Sequence, residues 1–142
     1  MRLLFVDDDP ENVAFVARTI REALEIDVAV VTTVEEAVAA LHAAPVDVLV
    51  ADLFIPLGRA VGGALGPRAR RYEEQVAHLG GLVLLDELDR VPNPPLLLAH
   101  TACTDPVIIE LLGERVVERV RKPAPPDVLL RAVLDALRSR EG

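Results

Sequence analysis

The chain has 142 residues, 51% of them apolar and 3% aromatic, with a formal net charge of −8. That length suits one domain with an aliphatic core, and an acidic, aromatic-poor chain lacks the basic contacts and stacking platforms of a nucleic-acid binder. A single cysteine, Cys103, excludes an internal disulfide, and no run of 18 apolar residues exists to span a membrane.

The elements follow in chain order. Leu3 to Val6 is a short continuous apolar run, as in a strand buried on both faces. It is too short for the apolar region of a signal peptide, so a cytoplasmic protein is expected. Asp9-Pro10 reads as a helix cap followed by proline at the first helical position, and Val13, Val16, Ile20 and Leu24 recur behind it at helical spacing. Val28 to Val31 is a second strand. Thr33-Val34-Glu35-Glu36 is a capping box opening a helix through Val38 and Leu41. Val46 to Ala51 is a third strand, ending at Asp52.

The middle of the chain is irregular. A loop begins at Ile55-Pro56-Leu57-Gly58, Arg68 to Leu79 is expected to form a short helix, and Gly80-Gly81 to separate it from a helix over Leu82 to Val91. Arg59, Arg68, Arg70 and Arg71 in this stretch are read as a solvated loop paired with Glu73 and Glu74, the alternative being a basic flap or partner contact. After the turn Pro92-Asn93-Pro94-Pro95 come a strand over Leu96 to Ala99 ending at His100-Thr101, and a helix over Val107 to Leu112 stopped by Gly113. Arg115 to Val120 is a fifth strand, followed by Lys122-Pro123. Asp127 to Arg138 is a final amphipathic helix with Leu130, Val133, Leu134 and Leu137 on one face. Apolar strands alternating with helices predict an α/β fold, a five-stranded parallel sheet covered on both faces and doubly wound. One domain is expected over 1–142, with a long insertion at about 57–80.

In such a sheet ligands bind beyond the carboxyl ends of the strands. Asp7 and Asp8 end the first strand, Asp52 the third, Thr101 the fourth and Lys122 the fifth. Three carboxylates at about 5 Å repel by roughly 3 kcal/mol per pair at an effective dielectric near 20. A hard cation such as Mg²⁺ relieves this and leaves room for a phosphate oxygen. Lys122, the sole lysine of the chain, adds positive charge, and Thr101 adds a hydroxyl donor. The set suits phosphoryl transfer to Asp52 as carboxylate nucleophile. His42, His78 and His100 are read as structural or surface residues, and Cys103 as a small packing residue.

These residues resemble the receiver domain of two-component response regulators. The resemblance rests on Val6-Asp7-Asp8-Asp9-Pro10, Asp52 with Pro56 four residues on, Thr101-Ala102 after an apolar strand, Lys122-Pro123, and Gly81-Leu82-Val83-Leu84-Leu85 as a third-helix start. It implies a flavodoxin-like (βα)5 fold with an enlarged segment between the third strand and third helix. It also implies that a histidine kinase or phosphotransfer protein phosphorylates Asp52, that Asp7 and Asp8 bind Mg²⁺ with Asp52 and the Phe54 carbonyl, and that Thr101 and Lys122 contact the phosphoryl group. The Lys122-Pro123 bond is then expected to be cis. The domain would catalyse only its own phosphotransfer and slow dephosphorylation, and so is not read as an enzyme. A downstream protein partner and a homodimer are left open, with no nucleic acid and no membrane.

The chain departs from the family pattern at Arg119, where an aromatic switch residue is common, at Ala124 after Lys-Pro, and at His100, where an apolar residue is common. The segment after Pro56 exceeds an ordinary strand-to-helix loop by about 20 residues. Two other classes compete. Asp7-x-Asp9 resembles the nucleophile and acid/base pair of a haloacid-dehalogenase-like metal-dependent phosphatase, although Glu11 stands where threonine is expected. The other is an interaction module independent of phosphorylation. The final helix is expected to end by Arg140, with no effector domain in these residues.

Overall fold

The computed structural model describes residues 1–57, 66–70 and 79–141. Most of the expected insertion, with Arg59, Arg71, Glu73, Glu74 and His78, lies outside them. The strands are β1 (Arg2–Val6), β2 (Asp27–Val31), β3 (Val48–Ala51), β4 (Leu96–Thr101) and β5 (Val116–Arg121). The helices are α1 (Glu11–Leu24), α2 (Val34–Ala43), α3 (Pro67–Arg70), α4 (Gly80–Leu88), α5 (Pro106–Leu112) and α6 (Pro126–Glu141). All strand pairs are parallel, in the order β2-β1-β3-β4-β5. The chain winds outward through β2, then returns past β1 to place β3 on its other side. That reversal between β1 and β3 is the topological switch point.

Strand alternation feeds two cores. Leu3, Phe5, Val48, Val50 and Leu98 pack under α1 and α6. Leu4, Val6, Leu49, Ala51, Leu97 and Ala99 pack under α2, α4 and α5. The long α6 buries Leu129, Ala132, Val133, Ala136 and Leu137, a stripe turned slightly from the expected one, with Leu130 and Leu134 half-buried at its margin. The capping box forms: Thr33 Oγ1 accepts the Glu36 N–H at 3.1 Å. Glu36 returns its carboxylate to the Thr32 N–H at 3.1 Å. At the start of α1, Pro10 already has helical angles and the Asp9 carboxylate accepts the Glu11 N–H at 3.3 Å.

Three expectations are corrected. Gly80 and Gly81 do not separate two helices; they form the first turn of α4. Their N–H groups donate to Ile55 O at 2.9 Å and Leu53 O at 3.1 Å, so the helix starts flush against the loop after Asp52. Only residues without a Cβ fit there. At the other end α4 stops at Leu88 rather than Val91, because the chain tightens into two three-residue turns, Arg90 N–H to Glu87 O and Val91 N–H to Leu88 O. Arg68 is not a solvated loop residue. Its guanidinium bonds the buried Asp86 at 3.0 Å, Asp89 at 2.8 Å and the Leu111 carbonyl at 3.0 Å. Of the helix expected over Arg68 to Leu79, the described part is Pro67–Arg70.

β5 carries a feature that strand periodicity alone does not reveal. Leu97 pairs with Val116, yet Leu98 pairs with Glu118, so Val117 is an extra residue. The bulge flips the phase of the rest of the strand. Val116 leans on the α5 side of the sheet, whereas Val120 is buried on the α1/α6 side.

A Cβ at Gly81 would lie 2.6 Å from Leu53 Cα and 2.9 Å from the Asp52 carbonyl oxygen. Both are backbone atoms that cannot step aside cheaply. Gly81→Ala is therefore expected to lose about 1–3 kcal/mol in urea denaturation, the usual cost of overpacking. An unchanged midpoint would contradict this packing.

Candidate functional site at the carboxyl ends of the strands

Three strands deliver carboxylates and an imidazole to one register row. Asp52 N–H donates to Val6 O at 3.1 Å, which sets Asp52 beside Asp7, and His100 follows Ala99, the partner of Ala51. Asp7, Asp52 and His100 continue the alternation of Phe5, Val50 and Leu98, so all three share the α1/α6 side. The bulge in β5 places Lys122, two residues beyond Val120, in the same phase.

The ammonium of Lys122 reaches across the rim to Asp7 Oδ2 at 2.7 Å and Asp52 Oδ2 at 2.9 Å. Both carboxylates are buried, 2% and 5% exposed, and the ammonium is the cation that faces them there. Burial pulls the Lys122 ammonium down, but the hydrogen bonds and charges of Asp7 and Asp52 outweigh it and raise the group above its ordinary 10.5. The remaining oxygens are also held. Asp7 Oδ1 accepts the Asp9 N–H at 3.0 Å and the Asn12 amide at 3.4 Å, and Asp52 Oδ1 accepts the Phe54 N–H at 3.1 Å.

Asp8 completes the cluster from its exposed outer side. One oxygen each from Asp7, Asp8 and Asp52 lie within 4.8 Å of one another, a spacing open to a cation. Desolvation first, then the charges of Asp7 and Asp52, push the Asp8 carboxyl above its ordinary 3.8. The donor set is all oxygen, which fits a hard divalent ion such as Mg²⁺.

The sequence-derived residues thus divide. Asp7, Asp8, Asp52 and Lys122 meet. Thr101 ends β4 beside them, fully buried on the opposite side of the strand, with its Oγ1 accepting the Cys103 N–H at 3.2 Å. Cys103 packs in the α2/α4/α5 core, as expected. Phe54 binds Asp52 through its N–H and exposes its ring. The Lys122-Pro123 bond is cis. Arg119 lies exposed at the surface.

His100, read as a structural or surface residue, is buried and stands beside the site. It is 6% exposed, its Nδ1 lacks a hydrogen-bond partner, and that nitrogen lies 4.0 Å from Asp7 Oδ2. Burial, then the Lys122 charge, lowers its pKa from 6.5 and keeps the ring neutral near pH 7. Asn12 joins the site as well, without a signal in the sequence. Strand parity is the available signal for His100: counting in twos from Leu98 aims it where Asp52 points.

No protein-family model and no curated protein matches the chain. Solved structures do. A signal receiver domain from Vibrio parahaemolyticus aligns at a TM-score of 0.73 and 17% identity, over 99% of this chain and 92% of that one. A CheY-like response regulator receiver domain protein from Methanospirillum hungatei JF-1 gives 0.70 and 17%, over 99% and 95%. A two-component response regulator from Clostridium difficile gives 0.68 and 17%, over 97% and 96%. The fold is that of the response-regulator receiver domains, the doubly wound CheY-like (βα)5 sheet. Among the described residues no helix is long and apolar enough to cross a membrane.

The electrostatics of Asp8 generate a sign-specific expectation. A carboxyl whose pKa is raised by folding favours the fold below its unfolded value of 3.8 and opposes it once ionised at higher pH. In metal-free buffer at pH 7, Asp8→Asn is expected to melt above wild type. In Mg²⁺ the order reverses, because wild type alone gains the linkage stabilisation, about 2.7 kcal/mol at a hundred times the dissociation constant. Parallel thermal melts check both halves. Equal Mg²⁺ shifts in the two proteins would place the ion elsewhere.

Proposed function

We propose that this chain is a phosphoacceptor signalling domain of a two-component system, with Asp52 as the acceptor. The observation that carries the reading is the Asp52 carboxylate itself. It is buried at the end of β3, grouped with Asp7 and Asp8 within 4.8 Å and bridged by Lys122 at 2.9 Å, on a receiver fold. On this reading residues 1–142 form one receiver domain enlarged at about 57–80, and the protein is cytoplasmic.

The donor is a phosphohistidine of a histidine kinase or phosphotransfer protein. An Asp52 oxygen attacks phosphorus, the new P–O bond forms as the P–N bond breaks, and the bonding pair returns to the donor imidazole. Lys122 leaves its two carboxylates to bond a phosphoryl oxygen, and the Thr101 hydroxyl turns from Cys103 to bond another. Asp7, Asp8, Asp52 and the Phe54 carbonyl would hold Mg²⁺. When bound, the ion neutralises phosphoryl charge, the main requirement of a loose, in-line transfer. Slow hydrolysis of the acyl phosphate resets the domain, so it is a switch rather than a turnover enzyme.

A haloacid-dehalogenase-like phosphatase gains no support from Asp9. Its carboxylate accepts the Glu11 N–H at 3.3 Å and is spent on starting α1. With a small acyl phosphate and Mg²⁺, intact-mass spectrometry is expected to find one added phosphoryl group on wild type and none on Asp52→Asn. Full labelling of the variant, or steady turnover of a free phosphomonoester by wild type, would refute the assignment.

A further inference from the structure

The His100 imidazole sits in the row of Asp7 and Asp52 with a buried nitrogen that bonds nothing. A buried polar atom without a partner is costly in a resting protein. Beside the ring is a cavity of about 340 Å³ lined by Asn12, His100, Ala102, Lys122, Pro123 and Ala124. The ring therefore has room to shift, and an acceptor, Asp7 Oδ2, lies 4.0 Å from its Nδ1.

That oxygen is held by Lys122 at 2.7 Å, and the same ammonium holds Asp52 at 2.9 Å. A phosphoryl group adds about −1.5 to −2 charges and three acceptor oxygens at Asp52. The ammonium is drawn to it, and Asp7, 2% exposed, loses the hydrogen bond that its Oδ2 accepts from Lys122. We propose that His100 is a positioning residue that replaces Lys122 on Asp7 in the phosphorylated state, its Nδ1–H donating to Oδ2 after a shift of about 1 Å to hydrogen-bond distance. The exchange rests on the phosphoacceptor reading above. Asp7 Oδ1 keeps its Asp9 and Asn12 bonds throughout, so the carboxylate does not rotate when the lysine leaves.

The test uses Mg²⁺ and beryllofluoride as the phosphoryl mimic. Fluorine NMR reports the adduct on Asp52, and nitrogen-15 NMR follows the imidazole nitrogens. On adduct formation the His100 Nδ1 resonance is expected to move while that of exposed His42 stays. His100→Val is expected to bind beryllofluoride about tenfold more weakly, as loss of a bond of about 1.4 kcal/mol implies. His100→Asn, whose amide N–H can stand near the Nδ1 position, is expected to recover most of that affinity. Wild-type imidazole resonances that stay put while the fluorine signal shows the adduct would overturn the exchange, as would undiminished affinity in His100→Val. An equal loss of Mg²⁺ binding in His100→Val would mark a scaffold role only and overturn it too. The wild-type spectra decide the matter even if that variant fails to fold. Wild type forming no adduct at all would instead remove the phosphoacceptor reading, and the fluorine spectrum separates that failure from the others.

Discussion

The ammonium of Lys122 neutralises two buried carboxylates on different strands, Asp7 and Asp52, at 2.7 and 2.9 Å. Removing it would leave uncompensated charge in a low-dielectric rim, the situation in which a broken buried pair is most damaging. Much of the local architecture serves that bridge. Parallel strands put every carboxyl end on one edge, and the reversal between β1 and β3 opens the crevice there. The extra residue Val117 turns β5 by half a period, so that Lys122 points with Asp7 and Asp52 rather than away from them.

The segment after Asp52 is tied down wherever it is described. Pro56 O and Leu57 O accept the N–H groups of Val34 and Glu35, which begin α2. Residues 66–70 lock onto α4 through Asp86, which accepts the backbone N–H groups of Arg68 and Ala69 as well as the Arg68 guanidinium. Arg68 also bonds the Leu111 carbonyl near the end of α5, and Arg115 adds the Leu88 carbonyl and Asp89. The ion pairs of Arg68 thus join this segment to α4, and its bond to the Leu111 carbonyl joins it to α5. With Arg119 exposed on β5, no buried aromatic is available at that position to couple Thr101 to the surface.

Much of this is legible in the residues. Continuous apolar runs such as Leu3 to Val6 and Leu96 to Ala99 mark strands covered on both faces, and Thr33 with Glu36 marks a helix start by its own chemistry. Asp7, Asp8, Asp52 and Lys122 stand out because each ends a strand, and strand ends converge in a doubly wound sheet. The features that sequence does not reveal depend on tertiary contact. Gly80-Gly81 looks like a break in one dimension; in three it is the close approach of a helix to the Leu53 and Ile55 carbonyls. Arg68 looks solvated because its partners, Asp86 and Asp89, lie 18 and 21 residues away. The β5 bulge leaves no mark in composition, and histidine spacing, which speaks to metal ligation, hides His100 where strand parity would have found it.

Asp52, among four aspartates crowded at this rim, is the one proposed to carry the phosphoryl group. Borohydride reduction of the phosphorylated protein converts a phosphoaspartate to homoserine, which tandem mass spectrometry of its peptides locates. The expected result is homoserine at residue 52 alone, appearing only after treatment with an acyl phosphate and Mg²⁺. Homoserine at Asp7, Asp8 or Asp9, with residue 52 unmodified, would contradict it.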